Sequence, residues 1–396
     1  MVREIAVFLY LRLFAILFYV FRLFPLQKDK IVFVVSFTEN SSYIYKEMKR
    51  QEISCRTVFL ATNKMHPYFS KHKDATTYKF EPSNFKDFIL SSYHLATAKI
   101  IFVDNYFGFL ATCSFKKEVE CIQLWHANGA LKKFGLEDAS VPSRTKIAQK
   151  RFKKVYSKFD KVIVGSEEMA EIFKKAFGIN ESKILRTGIP RTDLFYDTKR
   201  HQHVKNKYLL NNPEFRNKKV ILYAPTFRDT SIHSFQMPLN LDMMKDVLGQ
   251  EYILILKLHP AIKQGVKIKE TLKDFVYDFS DCKNINELFF ISDLLITDYS
   301  SIPFEYCILN KPMIFFPYDL KDYSKTRGFW EDYESFVPGP VVYTTSQLVN
   351  VICKITLNSS RCEEFNKKWN RYSTGNSSNN IVKYIQNHIG STNDIT

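Results

Sequence analysis

Several signatures that announce chemistry directly are missing from this chain. Glycine fills only 12 of 396 positions, and neither a G-x-x-x-x-G-K-[ST] phosphate loop nor a G-x-G-x-x-G fingerprint occurs. A P-loop hydrolase and dinucleotide redox chemistry are therefore disfavoured. The 7 cysteines are odd in number, scattered and without a C-x-x-C pair, which argues against a disulfide framework or a zinc site and fits a reducing compartment. No carboxylate cluster spells a metal site, and Asp319 and Asp322 read as solvated or turn-forming. No cofactor is expected, and a need for a divalent ion stays open. Zinc-finger spacing, RNP-type strands and recognition helices are absent, so nucleic acid is not an expected partner. There is no internal repeat.

What the chain does have is positive charge and apolar runs. Lys+Arg 57 against Asp+Glu 41 gives a net charge of +16, which calls for anionic partners such as an acidic membrane leaflet or phosphorylated substrates. Residues 5–26, IAVFLYLRLFAILFYVFRLFPL, are long enough to cross a bilayer. Arg12 near the middle and Arg22 ten residues later lie about 80° apart around a helix, leaving a wide Phe/Leu/Ile face. A helix lying in the interface, a membrane span and a buried core helix all remain open. No small-residue cleavage site precedes Pro25, so a secretory signal is not expected. Arg22, Lys28 and Lys30 would keep the body on the cytoplasmic side.

Beyond the N-terminal run, continuous apolar stretches at 31–37, 57–61, 99–103 and 161–164 read as buried parallel strands, with helices at 41–51, 83–95, 145–157 and 167–177. After a polar, basic stretch at 197–218, a second series gives strands at 219–224, 252–258, 294–297 and 312–316, with helices near 240–249, 285–292, 301–309 and 345–356. The expectation is an α/β protein with two doubly wound, Rossmann-like domains facing a cleft. Its parts are a membrane-associating helix over 1–26, an α/β domain over 27–200, a second over 201–360, and a C-terminal helix over 361–396 that returns to the first domain.

Four polar clusters follow strands. In LLITDYSSIPFEY, Asp298, Ser300 and Ser301 lie between an apolar strand and a helix-compatible segment that includes Glu305; hydroxyls and free N–H groups at such a junction suit a phosphate. The same residues also suit an ordinary helix cap. In QLWHANGALKKFG, His126 is followed by an Asn128-Gly129 turn and by Lys132 and Lys133, read as opening a basic helix. An imidazole beside cations suits proton abstraction next to a phosphate, although a lone histidine is more often structural. In APTFRD, the Arg228 fork suits a diphosphate. In LKLHP, His259 ends the most apolar strand of the second series and is weak evidence alone. A base and fixed positive charge are what phosphoryl transfer requires.

With these residues assembled, the chain resembles the CDP-glycerol glycerophosphotransferase family of wall teichoic acid synthesis. The likeness is carried by those four clusters together with RTGIPRTD, KPMIFFPYDLKDY and RGFWEDYESFVPGP. It implies a glycosyltransferase-B architecture and transfer of an alditol phosphate from a CDP-alditol, here CDP-glycerol, to a hydroxyl of a polyprenyl-diphosphate-linked saccharide. It also implies that His126 and His259 are essential and that Ser300, Ser301 and Arg327 hold the donor diphosphate, with Asn128, Lys132, Asp298, Glu305 and Arg228 as further substrate-binding candidates. The W-H-A-N-G-A spelling, in place of W-H-G-T-P-L, is similar to the primase branch rather than the polymerases, and the length of the chain fits that branch too. Glycerol- or ribitol-phosphate polymerisation is the alternative; a sugar transferase of the same architecture and a non-catalytic membrane-binding protein are rivals of other kinds. The expected location is the cytoplasmic face of the membrane, peripheral or monotopic, with the oligomeric state open.

Overall fold

The computed structural model describes residues 2–228, 235–259, 262, 266–326, 328–354 and 360–389. Two compact units divide the chain. The first holds Met1–Asn128, Phe134–Asp193 and Arg371–Thr396; the second holds Gly129–Lys133 and Leu194–Asn370. The division falls at 193/194 rather than 200/201, and the chain rejoins the first unit at 371, so the helix Ser360–Trp369 belongs with the second.

The first unit is built on seven parallel strands: β1 (Gln27–Val35), β2 (Arg56–Ala61), β3 (Thr76–Lys79), β4 (Ala98–Val103), β5 (Glu120–Gln123), β6 (Lys161–Ile163) and β7 (Ile184–Leu185), in the order β3-β2-β1-β4-β5-β6-β7. The continuous apolar runs of the sequence form β2, β4 and the second half of β1 from Ile31, where the side chains are mostly buried on both faces. β3 and β7 escape a hydrophobicity reading because they are short, and TTYK is mostly polar; β5, ECIQ, is the short run that precedes the His126 cluster. Hydroxyl and amide caps start the helices: Asn84 accepts from Asp87 N, Thr145 from Ala148 N and Ser166 from Met169 N. The C-terminal helix Ser377–Ile389 buries Ile381, Val382 and Ile385 in the same core as Ile44, Tyr45 and Met48 of the helix Glu39–Arg50. Asp193 fixes its start, accepting from the N–H groups of Ser377 and Ser378 at 2.8 Å each. Gly188, at φ +78, lets this join close: a Cβ there would lie 2.3 Å from the Tyr372 carbonyl oxygen.

The N-terminal helix Val2–Phe21 lies against this unit along one face. Phe14 and Phe18 are fully buried, with Phe14 ringed by Phe80, Phe88 and Phe109 at 5.0–6.1 Å. Burying each such ring is worth about 1.5–3 kcal/mol. The opposite face leaves Ile5, Phe8, Leu9, Leu13 and Ile16 exposed. By length and composition the stretch Glu4–Phe21 is apolar enough to cross a membrane, yet it is neither a buried core helix nor bare on all sides.

The second unit has five parallel strands: β8 (Lys219–Tyr223), β9 (Tyr252–Leu256), β10 (Val276–Asp278), β11 (Leu294–Thr297) and β12 (Met313–Phe315), in the order β10-β9-β8-β11-β12. Its core packs Ile221, Leu254, Leu256, Ile296 and Ile314 against Met244, Leu248, Leu348 and Ile352 from the helices Leu241–Leu248 and Thr345–Lys354. β10, a three-residue edge strand, was not expected. The segment after His126 does not form the basic helix that its lysine pair suggested. Instead Lys132 bridges Phe329 in antiparallel fashion, Lys133 N donates to the Gly328 carbonyl and Trp330 N to that of Leu131. Gly129 is required here because a Cβ would fall 2.2 Å from the Phe304 ring.

Candidate functional site

In each sheet the strand order reverses at one point, between β1 and β4 in the first and between β8 and β11 in the second. Ligands of open α/β sheets sit beyond the carboxyl ends of strands at such points, and the polar clusters of the sequence fall there.

In the first unit, Asp104 follows β4 and reaches the loop after β1. Its carboxylate accepts from Ser36 N at 2.8 and 3.0 Å, Ser36 Oγ at 2.9 Å and Phe37 N at 2.8 Å. Burial pushes its pKa up to about 7, against the pull of the Phe37 and Ser36 hydrogen bonds. His126 follows β5 and stacks on Phe37, with ring centroids 4.5 Å apart and planes 14° apart. Burial drives its pKa down to about 4, opposed by a hydrogen bond from the ring to the Asp104 backbone carbonyl. The ring is therefore neutral at pH 7. Nδ1 is shielded from solvent and has no hydrogen-bond partner among the described residues.

The backbone beneath this ring is unusual and firmly held. Trp125 sits at φ +54, a region that side chains rarely occupy. Asn40 Nδ2 donates to the carbonyls of Leu124 and Trp125 at 3.2 and 3.0 Å, Gln123 Oε1 accepts from Trp125 N at 2.8 Å, and Arg191 Nη1 donates to the His126 carbonyl at 2.9 Å. Arg191 N is itself held by Asn40 Oδ1 at 3.0 Å. Asn40, Asp104 and Arg191 were not singled out from the sequence. Arg191 lies in the quoted RTGIPRTD run, and Asp104 ends a strand that was read correctly, so the switch-point rule could have found it. Asn128 is buried in this unit, with its Oδ1 close to Gly165.

In the second unit, a cavity of about 820 Å³ opens at the ends of β8, β9 and β11, lined among others by Lys132, Phe227, Lys257, His259, Ser300 and Ser301. That is the size of a small-molecule site. His259 is exposed and stacks on Phe227 at 4.3 Å. Ser300 Oγ accepts from Ile302 N at 3.2 Å. Lys132 Nζ lies 5.4 Å from the centre of the Tyr323 ring. Lys257 donates to the carbonyls of Ser280 and Cys282, and burial lowers its pKa.

Three expected ligand contacts prove to be internal. Asp298 is 2% exposed and uses both oxygens: Oδ1 accepts from Thr226 N at 2.8 Å and Tyr299 N at 2.6 Å, while Oδ2 accepts from Arg228 at 3.0 Å. Arg228 turns its fork onto internal partners, while it also lines a cavity of about 460 Å³ with Pro225, Thr226 and Tyr318. It grips Asp319 through Nε at 2.7 Å and Nη2 at 2.8 Å, donates Nη1 to the Thr226 carbonyl, and lies 4.9–5.2 Å from the rings of Tyr299, Tyr318 and Tyr323. Burial alone would lower its pKa, but Asp319 and Asp298 outweigh burial and raise it. Asp319, expected to be solvated, also accepts from Tyr299 OH at 3.0 Å; burial would raise its pKa, yet Arg228 holds it below the usual value. Glu305 is buried in the short helix Pro303–Tyr306. Arg327 and Pro260 lie outside the described residues.

Parallel sheets that each carry a stacked imidazole at the switch point, with serines and lysines around the cavity of the second, define an α/β protein built to hold an anionic ligand. Residues 16–387 match the family described as CDP-Glycerol:Poly(glycerophosphate) glycerophosphotransferase, and the chain belongs to that family. It is 40% identical over 362 residues to a teichoic acid glycerol-phosphate primase of Bacillus subtilis (strain 168), covering 91% of this chain and 93% of the relative. It is also 35% identical over 360 residues to a teichoic acid poly(ribitol-phosphate) polymerase of Bacillus spizizenii, covering 89% of this chain and 55% of the relative. Among solved structures, a variant of the wall teichoic acid polymerase TagF soaked with CDPG superposes with a TM-score of 0.77 at 26% identity, covering 92% of this chain and 90% of that one. The protein is thus a CDP-glycerol-dependent glycerophosphotransferase of teichoic acid synthesis.

Proposed function

We propose that this enzyme acts as a primase: it transfers one glycerol phosphate from CDP-glycerol to a hydroxyl of the N-acetylmannosamine in a disaccharide on a polyprenyl diphosphate, and it releases CMP. The observation that carries this reading is the 40% identity to a glycerol-phosphate primase along nearly the whole of both chains, reinforced by the W-H-A-N-G-A spelling at His126. Work at the cytoplasmic face of the membrane follows from the acceptor, which cannot leave the bilayer, and is supported by the exposed apolar face of the N-terminal helix.

In this reading the donor diphosphate occupies the cavity beside Ser300, Ser301, Lys132 and His259. The acceptor hydroxyl gives its proton to Nδ1 of His126 as its oxygen attacks the phosphorus that bears glycerol. The bond from that phosphorus to the bridging oxygen breaks, and CMP departs with the electron pair. His259 stabilises the charge that builds on the transferred group. Because Nδ1 is shielded from water, the side chains that cover it must part for the acceptor. Asp298, Arg228 and Asp319 frame the donor loop and do not touch the ligand.

Incubation of CDP-glycerol with the lipid-linked disaccharide, followed by mass measurement, tests the reading. A gain of one glycerol phosphate is expected; a ladder of additions assigns the enzyme to polymerisation, and a preference for CDP-ribitol or a UDP-sugar in the same assay overturns the donor.

A further inference from the structure

A second cavity, of about 650 Å³, lies wholly within the first unit, between the N-terminal helix and the helix Lys146–Tyr156. One wall is mostly apolar, made by Ile5, Phe8, Leu11 and Ala15 with Glu4 and Arg12 beside them; the other carries Lys150, Arg151 and Lys154. The two helices are tied at their starts by Thr145 Oγ1 donating to Glu4 Oε1 at 3.1 Å. The helix KIAQKRFKKVY has five cations and no carboxylate, and Ile147 on it is 74% exposed. Hydrocarbon together with an excess of cations, Arg12, Lys150, Arg151 and Lys154 against the carboxylate of Glu4, matches a ligand that has an isoprenoid chain joined to a diphosphate.

Within the same unit, the aromatic face of the basic helix, opposite its lysines, packs on the segment that follows β4. Tyr106 packs on Phe152 and Tyr156 of the basic helix at 4.9 and 5.9 Å. Two residues before it stands Asp104, whose carbonyl holds the His126 ring; two Cα steps span less than about 8 Å.

We propose that this groove binds the diphosphate and the first isoprene units of the polyprenyl-linked acceptor, a subsite that deepens the primase reading and rests on it. The probe is geranylgeranyl diphosphate in detergent, with its Kd for the full-length chain measured directly. Lys150→Glu with Lys154→Glu, both on an exposed helix face, raises that Kd tenfold or more, and Ala15→Trp, which fills the groove, does the same. Ala15→Trp retains sedimentation with phosphatidylglycerol vesicles within about twofold. An unchanged Kd in the lysine variant overturns the proposal. So does a loss of vesicle binding that parallels the loss of probe binding in Ala15→Trp, since the face would then be a general contact with bulk phospholipid. Failure of the wild-type enzyme to transfer glycerol phosphate to the lipid-linked disaccharide, with probe binding intact, would defeat the primase reading and leave the groove standing.

Discussion

At the switch point of the first sheet Asp104 holds the loop after β1, and at that of the second Asp298 holds the loop after β8. In both places a phenylalanine of the held loop, Phe37 or Phe227, is the stacking surface for a histidine. The charges are arranged differently. Asp104 receives only N–H and O–H donors, and its loop exists to fix a neutral imidazole over a strained backbone. Asp298 shares Arg228 with Asp319, and three tyrosines enclose the cation. The first unit invests in the orientation of one ring. The second invests in a rigid, internally neutralised frame and leaves His259, two serines and Lys132 at the cavity. A fixed loop, not a spent arginine, is what a diphosphate site needs from that frame.

The sharpest way to break this comparison is at His126. His126→Ala should lower kcat by about 10²–10⁴, the range for loss of a general base, with little change in KM for CDP-glycerol. Turnover within about tenfold of wild type would move the base elsewhere.

Next is the frame. Arg228→Ala leaves the buried Asp298 and the half-buried Asp319 without their shared cation and should cost about 3 kcal/mol of stability in chemical denaturation. A variant of unchanged stability but weakened donor binding would restore Arg228 to the ligand-contact role that the sequence suggested. Smaller effects are expected at the cavity: Ser300→Ala and Ser301→Ala should each raise KM for CDP-glycerol about tenfold, the lower end of the worth of a hydrogen bond to a charged group, and leave the denaturation midpoint unmoved.

The subtlest expectation concerns pH. Since burial depresses the His126 pKa to about 4, from an ordinary value near 6.5, the unfolded chain binds the extra proton between those values. The stability contributed by this group is full above about pH 6.5 and is lost as pH falls toward 4. The acid limb of kcat/KM for the free enzyme should likewise lie below pH 6. A limb at 6.5 or higher would mean that the imidazole is solvated in solution.

Long apolar strands were legible because each is buried on both faces, and the helices between them because their periodicity and caps agree. β3, β7 and β10 were not, since two to four residues carry no period, and β5 showed only as a short apolar run before His126. Histidine and serine positions could be read from their place after strands. What escaped was partnership across the chain: Arg228 and Asp319 lie 91 residues apart and Arg191 and His126 lie 65 apart, and nothing local marks either pair. Arg228 was consequently taken as a ligand contact and Asp319 as solvent-facing.

The excursion of residues 129–133 into the second unit has a practical corollary. A gene fragment for 194–370 would code for a protein with a missing rib: the backbone of 328–330 would lose its pairing strand, and the Phe304 ring would face a hole where Gly129 had been. Anyone dissecting this enzyme should therefore supply that pentapeptide in trans or graft it by a linker, and should expect the excised piece to aggregate without it.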